Sequence, residues 1–408
     1  MKEWKTYKLE EICTGKGTYG IGASAVAYDS SKYTYLRITD INDDGTLNKG
    51  ELKSVDDEEA YKYILQKNDI VFARTGNSTG RSYFYDGTDG ELVYAGFLIK
   101  FSLDPSKVNP RIMKYYTHSQ DYYDWVKSFD TGGTRGNINA KTYGLMPIVL
   151  PPREVQDKIV EVLKSLDEKI ELNKRINDNL EQQAQVLYKS WFVDFEPFKD
   201  GEFVESEMGE IPVGWTVVKF SDLTEIPKKT INPQKFPDTI FKQYSLPACD
   251  NGLIPENQTG KDIMSNKIIL QNNTTLFSKL NPRIKRIWFT CEVQPNSICS
   301  TEFIPYRATN ENESGYIFSI INSEAFYASV MGCVNGATGS HQRFHAEDTE
   351  DFLCAYNKDV VKKFSQHINA VLKQMHDLRQ ENVKLALMRD TLLPKLMSGE
   401  LKINEIDC

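Results

Sequence analysis

Two long segments of the chain place hydrophobic residues among polar ones at helical spacing. In the second segment, alternating steps of three and four residues lead from Val361 to Leu396, and nine of the eleven positions are apolar, with Asn382 and Arg389 as the exceptions. Such spacing is typical of a coiled-coil seam. A similar stripe extends from Ile159 to Trp191. We therefore predict two amphipathic helices of about 37 residues, each roughly 55 Å long.

The apolar stripe of each predicted helix needs a partner, because most helix stability comes from packing that face. We expect the two helices to pair with each other and to run antiparallel. The alternative is that each helix packs only on its own globular neighbour. The predicted helix seam consists of Ile159, Leu166, Ile170, Leu180 and Leu187 in the first helix and Val371, Met375, Leu378, Leu385 and Leu392 in the second.

The segments that precede the two helices have a different pattern. They are rich in Tyr, Phe, Ile, Gly and Asn and contain short strand-like runs, such as YTYLRI (33–38), DIVFAR (69–74), AGFLIKF (95–101) and RIWFTC (286–291). Short helices are predicted near 110–128 and 322–332. We expect each segment to form a mixed α+β globular domain with more strand than helix.

The middle of the chain resembles its beginning. Trp4, Leu9 and Ile12 recur 211 positions later as Trp215, Phe220 and Leu223, and the two helical stripes superpose with an offset of 206 residues. This spacing indicates an internal duplication, since solenoid repeats are far shorter. The predicted order is globular domain 1 at 1–150, a central long helix at 151–192, a linker at 193–210, globular domain 2 at 211–357, a C-terminal long helix at 358–398 and a tail at 399–408.

Composition is that of an ordinary globular protein, with 40% hydrophobic and 26% charged residues. No apolar run approaches the roughly 18 residues that a membrane span requires, so we expect no membrane association. The seven cysteines are scattered without a CxxC pair, which favours reduced thiols in the cytoplasm over disulfides or a zinc site. The net charge of −8 leaves open whether a local basic face exists.

One such face is suggested in each half of the chain. No acidic residue occurs between Asp262 and Glu292, and this window contains Lys279, Asn281, Arg283, Lys285 and Arg286. We expect it to bind DNA, with Lys285 and Arg286 contacting phosphates. The corresponding window of the first half, at 69–84, contains the polar candidates Arg74, Thr75, Asn77, Thr79 and Arg81. The alternatives are a solvated lysine-rich loop and a plain turn between two strands.

Two glycine-rich loops closer to the long helices form a second pair of candidates. Arginine commonly recognises guanine, and asparagine or glutamine recognises adenine, while glycine lets the backbone approach DNA closely. As exposed loops they could equally have no such role. The predicted contacts are Thr134, Arg135, Asn137 and Asn139 in the first loop and Ser340, His341, Gln342 and Arg343 in the second.

Other motifs in the chain are too weak to predict catalysis. GKGTYG at 15–20 fits GxGxxG, but the flanking segments lack the strand and helix that a nucleotide-binding loop requires. His341 and His345 are four residues apart without an apparent third ligand, so we predict no metal site. We also find no Asn-Pro-Pro-Tyr-type motif for adenine methylation and predict no catalytic residues.

The junctions between these segments resemble those of the specificity subunit of type I DNA restriction–modification enzymes. The similar stretches are MGEIPVGWTVVKFSDL (208–223), the exit into the first helix at 145–192, and DTLLPKLMSGEL (390–401). Together they span the whole chain. The second junction, FLCAYNKDVVKKF (352–364), lacks the Pro-Pro and Gln of PPREVQ (151–156), which leaves the edge of the second helix open.

The resemblance implies an α+β fold in which two pseudo-repeated target-recognition domains are separated by two long antiparallel helices forming a coiled coil. It implies a non-catalytic subunit that recognises a bipartite double-stranded DNA site with a fixed gap. The expected partners are two methyltransferase (modification) subunits bound along the helix seam, and restriction/translocase subunits. S-adenosylmethionine, ATP and magnesium are expected on those partners, with no cofactor on this chain.

Two other functions remain open from the sequence. The first is a coiled-coil scaffold that recognises a protein partner instead of DNA. The second is a nucleotide-dependent enzyme built on GKGTYG (15–20). Salt-dependent DNA binding would distinguish the DNA-binding hypothesis from the scaffold.

Overall fold

The computed structural model describes residues 4–129, 136–334 and 342–401. The chain divides into two compact units. Unit 1 comprises Met1–Glu168 with Leu385–Cys408, and unit 2 comprises Lys169–Lys384. Each unit therefore combines one globular domain with a segment of each long helix. The sequence-based division, in which the helices are segments of their own, stays a prediction.

The first half of the chain contains ten strands and four α-helices among its described residues. The strands are β1 (Lys5–Lys8), β2 (Thr18–Tyr19), β3 (Ala25–Val26), β4 (Tyr33–Leu36), β5 (Lys53–Val55), β6 (Asp69–Ala73), β7 (Ser82–Tyr85), β8 (Leu92–Tyr94), β9 (Leu98–Ser102) and β10 (Pro147–Leu150). The helices are α1 (Ile112–Tyr116), α2 (Gln120–Lys127), α3 (Ala140–Gly144) and α4 (Arg153–Phe192).

The remainder of the chain continues with strands β11 to β23 and helices α5 to α9. The strands are β11 (Phe203–Ser206), β12 (Gly209–Pro212), β13 (Thr216–Lys219), β14 (Thr224–Glu225), β15 (Thr230–Ile231), β16 (Ile240–Tyr244), β17 (Glu256–Thr259), β18 (Lys267–Ile269), β19 (Thr274–Ser278), β20 (Ile287–Thr290), β21 (Ser297–Cys299), β22 (Phe303–Ala308) and β23 (Leu353–Tyr356). The helices are α5 (Phe220–Leu223), α6 (Leu246–Asp250), α7 (Ser314–Asn322), α8 (Glu324–Gly332) and α9 (Lys358–Ser398).

Globular domain 1 is built on two four-stranded sheets. The first has the order β2-β9-β6-β7 and is antiparallel throughout. The second has the order β3-β5-β4-β8, with β4 and β8 parallel. Strands β1 and β10 pair separately and bring the two ends of the domain together. Every residue of the central strand β6 is buried, and four of its five residues are apolar.

Globular domain 2 repeats this plan. Its first sheet has the order β14-β22-β19-β20, again antiparallel with a fully buried central strand, β19. Its second sheet has five strands in the order β15-β18-β21-β16-β17, with β16 and β21 parallel. Strands β13 and β23 close the domain as β1 and β10 close the first. The predicted duplication and the mixed α+β fold class are therefore confirmed.

Residues 206–215 lead to Trp215, the counterpart of Trp4. They form the end of a hairpin and an aromatic contact. Strands β11 and β12 pair across Glu207 and Met208. The indole of Trp215 then packs edge-on against Phe192, Phe195 and Phe198, with ring centroids 5.1 to 5.5 Å away. This packing attaches the start of domain 2 to the end of α4.

The two long helices run antiparallel in the described contacts of unit 2. Near one end of this helix pair, Tyr188 and Phe192 of α4 contact Phe364 of α9. Further along, Asn173 of α4 contacts Asn382 of α9. In each unit the helix segments also join the core of the globular domain. The two alternatives for the apolar stripes are thus combined, since each stripe packs on the other helix and on its own domain.

The predicted seam residues are buried to different extents. Ile159 and Met375 are fully buried, while the other members are half-buried, namely Leu166, Ile170, Leu180, Leu187, Val371, Leu378, Leu385 and Leu392. Other positions are more completely buried, among them Leu163, Ala184, Tyr188 and Leu372. The buried face is shifted towards the globular domains, because these supply part of the packing surface. The role of the predicted seam as a partner interface stays a prediction.

A polar contact interrupts the apolar packing between the helices in unit 2. The amide of Asn173, which is 0% exposed, donates to the Asn382 Oδ1 at 2.8 Å and to the Glu381 carboxylate at 2.7 Å. The Asn382 amide donates to the carbonyl of Ile170 at 3.3 Å. A buried polar pair of this kind favours one register of the helices, because a shifted register leaves its groups without partners.

An ionic cluster occupies the corresponding interface in unit 1. The carboxylate of Asp167 on α4 accepts from Lys114 at 2.8 Å and from Arg389 of α9 at 3.1 Å. Burial alone would raise the pKa of the Asp167 carboxyl, but the two cations outweigh burial and hold the pKa below its ordinary value. Asp167 therefore joins both helices to α1 of domain 1.

No helix in the described part of the chain is long and apolar enough to cross a membrane.

Substitution of Asn173 by alanine should destabilise unit 2 by about 1–3 kcal/mol, because the half-buried Asn382 Oδ1 and the Glu381 carboxylate lose their donor. Replacing both Asn173 and Asn382 by leucine should cost less than the single change, since the Asn382 group that loses its partner in the single variant is then removed as well. Chemical denaturation would measure both effects, with exposed Gln183→Ala on α4 as the control. A double variant less stable than the single one would contradict this account.

Asp167→Asn should lower the free energy of unfolding at neutral pH. Because the folded-state pKa lies below the unfolded value of about 3.9, the stabilisation is complete above that value and disappears as the pH falls through the folded pKa. The difference from the wild type should therefore shrink towards pH 3. Denaturation at pH 7 and pH 3 tests this, with Glu168→Gln at the neighbouring exposed position as the control. An equal difference at both pH values would refute the electrostatic explanation.

Candidate nucleic-acid interface

The two predicted DNA-contacting segments of domain 1 meet at one junction. Arg74 follows β6, and its carbonyl accepts from the N–H of Ile138 at 2.9 Å, while Thr75 forms an isolated β-bridge with Asn137. The hydroxyl of Thr79 lies 2.8 Å from the Gly76 carbonyl and 3.0 Å from that of Gly136. The structure thus brings together residues that are about sixty positions apart in the sequence, at one end of the central strand.

The side chain of Arg74 lies among aromatic rings that the sequence analysis did not select. Its guanidinium is 5.1 Å from the ring centre of Tyr19 and 5.9 Å from that of Phe97. The hydroxyl of Tyr19 accepts from the N–H of Ala140 at 3.1 Å. Tyr19 belongs to GKGTYG, so this glycine-rich loop contributes to the candidate DNA site. In the sequence this residue is only a tyrosine among glycines, a pattern that does not by itself indicate a place beside Arg74.

Two of the other described candidates of domain 1 already have hydrogen-bond or ionic partners within the domain. Arg81 forms an ion pair with Asp43 at 2.6 Å and donates to the carbonyl of Ile41 at 3.2 Å. Asn139 caps α3, since its Oδ1 accepts from the N–H of Thr142 at 2.9 Å. Asn77 and Asn137 have exposed side chains that extend the candidate surface. Thr134 and Arg135 lie outside the described residues.

Domain 2 builds the same junction from different side chains. Leu280 forms an isolated bridge with Arg343, and the N–H of Asn281 donates to the carbonyl of Gln342 at 2.8 Å. The N–H of Lys279 donates to the Glu302 carbonyl at 2.9 Å, just as Arg74 donates to Phe97 at 3.1 Å in domain 1. Ser340 and His341 lie outside the described residues.

The polar groups of this second junction form a charged pair. Arg343 donates to both carboxylate oxygens of Glu302, at 3.1 and 3.2 Å. The side-chain oxygen of the neighbouring Gln342 is buried and has no hydrogen-bond partner among the described residues. Arg343 is therefore held in a fixed orientation, while the side-chain oxygen of Gln342 can still accept a hydrogen bond.

Lys285 and Arg286 are engaged within domain 2. The Lys285 ammonium donates to the carbonyl of Asn322 at 2.6 Å and lies 5.6 Å from the ring centre of Tyr327, and burial lowers its pKa. Arg286 forms two bonds with Asp250, at 2.6 and 2.8 Å, which raise its pKa. Both contacts favour a structural role for this pair, so their assignment to phosphate contacts stays a prediction.

Two other cations of this window, Arg283 and Lys279, differ from Lys285 and Arg286 in their contacts. Arg283 has an exposed side chain and Lys279 a half-exposed one, and neither forms an ion pair with a described residue. The left-handed backbone of Asn281 (φ 48°) and the buried Pro282 shape the turn between them. Arg283 and Lys279 are therefore the better candidates for contact with phosphates.

The described residues bear on two other kinds of site, a nucleotide-binding loop at GKGTYG and a metal site. Strand β2 (Thr18–Tyr19) lies within GKGTYG (15–20), and the next element is the short strand β3, whereas a nucleotide-binding loop would open a helix. Within residues 4–129, 136–334 and 342–401, no group of three or more His, Cys, Asp or Glu side chains could hold a metal ion.

Comparison with known proteins gives a consistent set of matches. Residues 1–182 match the family described as "Type I restriction modification DNA specificity domain". The specificity subunit of the type I restriction enzyme MjaIX from Methanocaldococcus jannaschii is 25% identical over 310 residues, which cover 72% of this chain and 69% of that protein. The HindI specificity subunit from Haemophilus influenzae is 22% identical, with 98% of this chain and 100% of that protein covered.

A solved structure shares the fold. The crystal structure of the type I restriction–modification S subunit from M. genitalium aligns with a TM-score of 0.54 and 14% sequence identity, and the alignment covers 97% of this chain and 96% of that one. The fold and the sequence matches agree with the resemblance that the junction segments carry. The chain is similar over nearly all of its length to specificity subunits of type I restriction–modification systems.

Proposed function

We propose that the chain recognises two separate tracts of double-stranded DNA, one with each globular domain. The observation that carries this proposal is the repeated junction, in which two loops meet beside the central strand of each domain. The backbone contacts at Thr75 and Asn137 recur at Leu280 and Arg343, but the side chains differ. A backbone scaffold that is the same in both domains but carries different exposed groups suits the recognition of two different sequences.

We further propose that the long helices fix a gap of unread base pairs between the two tracts. Helix α4 passes from unit 1 into unit 2, and it contains no glycine or proline. A continuous helix of this kind resists bending more than a loop does. The two half-sites would then lie about one turn of duplex apart, roughly 34–36 Å between their centres.

The helices are also the proposed docking surface for two methyltransferase subunits, to which restriction/translocase subunits would be added. Large apolar side chains are exposed on both of them, with Val186 on α4 68% exposed and Leu387 on α9 67% exposed. Such residues are common where a partner protein binds. S-adenosylmethionine, ATP and magnesium would be held by these partners, and DNA recognition would place the complex in the cytoplasm.

The competing hypothesis is a scaffold that recognises a protein. The exposed apolar residues on the helices are compatible with it. The half-exposed and exposed charges of Lys279 and Arg283, beside a junction rich in amides and arginines, favour DNA. A measurement of binding against salt concentration separates the two hypotheses, because phosphate contacts release counterions.

Neutralising Lys279 and Arg283 together should weaken binding to all duplexes alike. Each phosphate contact contributes about 0.9 to the slope of log K against log salt, so the slope should flatten by about two units. Lys362→Ala with Lys363→Ala, at two exposed positions on α9, changes the charge equally and should leave the slope unchanged. A wild-type protein that binds no duplex at low salt, alone or with its partners, would favour the protein-recognising scaffold.

Replacing residues 215–345 by the matching segment of a related specificity subunit should change one tract of the target only. The other tract and the gap should stay the same, because domain 1 and both helices are retained. Methylome sequencing of cells that express the chimera with its partner subunits measures this. The reciprocal exchange of residues 4–144 is the control and should change the opposite tract. A continuous motif, or a single exchange that alters both tracts, would contradict modular recognition.

A further inference from the structure

Arg74 has no carboxylate partner among the described residues of domain 1. Within residues 4–129 and 136–153, each of the other arginines forms an ion pair with an aspartate, namely Arg37 with Asp40, Arg81 with Asp43, Arg111 with Asp86 and Arg153 with Asp157. Arg74 instead has its Nε buried without a hydrogen-bond partner among the described residues. A partly buried cation without a counter-charge destabilises a domain, which suggests that its partner is a ligand.

The position of Arg74 is fixed on several sides. Its N–H donates to the carbonyl of Phe97 and its carbonyl accepts from Ile138, so the backbone is held between two segments. The side chain lies against the rings of Tyr19 and Phe97, and Tyr19 is itself held by the N–H of Ala140. Little conformational freedom remains to be lost on binding, and this favours specific recognition over general attraction.

The surroundings favour a base edge over a phosphate. Tyr19 is 41% exposed and Phe97 is 55% exposed, so apolar ring surface flanks the guanidinium. Such surface suits the edge of a base pair and disfavours a hydrated phosphate. The exposed amides of Asn77 and Asn137 lie in the same two loops and can contact neighbouring bases. A planar guanidinium matches the two acceptors O6 and N7 of guanine in the major groove.

We propose that Arg74 recognises a guanine in the DNA tract bound by domain 1, with Tyr19 and Phe97 as positioning residues. This inference rests on the proposed DNA-binding function and assigns one base and its recognising side chain.

Domain 2 replaces this arrangement with different chemistry. The backbone bond from Lys279 to Glu302 stands where Arg74 bonds to Phe97, so a lysine takes the place of the arginine and a carboxylate that of the ring. Glu302 then pairs with Arg343. The stacked, unpaired arginine is absent from this junction in domain 2, as far as its described residues show. The guanine is therefore assigned to the first tract only.

The first experiment is selection of bound duplexes from random DNA by the full-length protein assembled with its partner subunits. The wild type should yield a bipartite motif with a guanine, on either strand, in the tract that changes when residues 4–144 are exchanged. Arg74→Lys keeps the charge but loses the fork of donors, so one position of that tract should become degenerate, with discrimination reduced about 10- to 100-fold. Phe97→Ala should have a smaller effect at the same position.

Arg111→Lys is the matched control. Arg111 also lies over an aromatic ring, Phe84, but it pairs with Asp86 at 2.7 Å, and its substitution should leave the motif unchanged. Should Arg74→Lys melt at a lower temperature than Arg111→Lys, a second measurement uses the wild-type protein only. Placing 7-deazaguanine at the assigned position removes N7 while keeping the base pair and the phosphates, and it should weaken binding about 10-fold or more.

The outcomes separate this assignment from the function on which it rests. A wild type without any bipartite motif would overturn the proposed function and the assignment together. A bipartite motif without a guanine in the first tract would overturn only the assignment. So would an Arg74→Lys protein that binds all sequences more weakly with an unchanged motif, since that result indicates a phosphate contact. Full binding of the wild type to the 7-deazaguanine duplex would also reject it.

Discussion

The packing of the two long helices is the constraint on which the structure depends. A helix of forty residues such as α4 cannot bury its apolar face alone. In each unit that face is covered partly by the second helix and partly by the globular domain. The Asn173–Asn382 contact and the Asp167–Arg389 pair then select one register within their respective units. Since both domains pack on these helices, the register determines which helix residues each domain contacts.

Because the chain is an internal duplication, both globular domains are built on the same arrangement of strands. The first sheets of both domains have the same strand order and a fully buried central strand. Burial restricts most of each strand to apolar or small polar residues, as in IVFA (70–73) of β6 and TTLFS (274–278) of β19, so the scaffold changes little. The loops that follow the central strands face no such restriction. They carry Arg74 beside aromatic rings in one domain and Lys279 beside the Glu302–Arg343 pair in the other.

The sequence predicted the candidate site in part. It selected the segment between Asp262 and Glu292 because acidic residues are missing from it, and the other loops because polar residues and glycines are concentrated in them. It did not select Tyr19 or Phe97, since exposed aromatic residues become informative only when a cation is placed beside them. It also did not indicate that Arg286 is paired with Asp250. Those partners are 36 residues apart, and pairing at such a distance leaves no periodic pattern.

By itself, the sequence determined the two helices, the duplication and the α+β class of the domains, because periodicity and repetition are local properties of a chain. The tertiary structure alone decided which charges are free and which are neutralised. In the folded protein the apolar stripes of the long helices also pack on the globular domains. The loops that contain Thr75 and Asn137 lie side by side and form one surface. The physical reason is that hydrogen bonds and ion pairs depend on distances of about 3 Å between groups that only folding brings together.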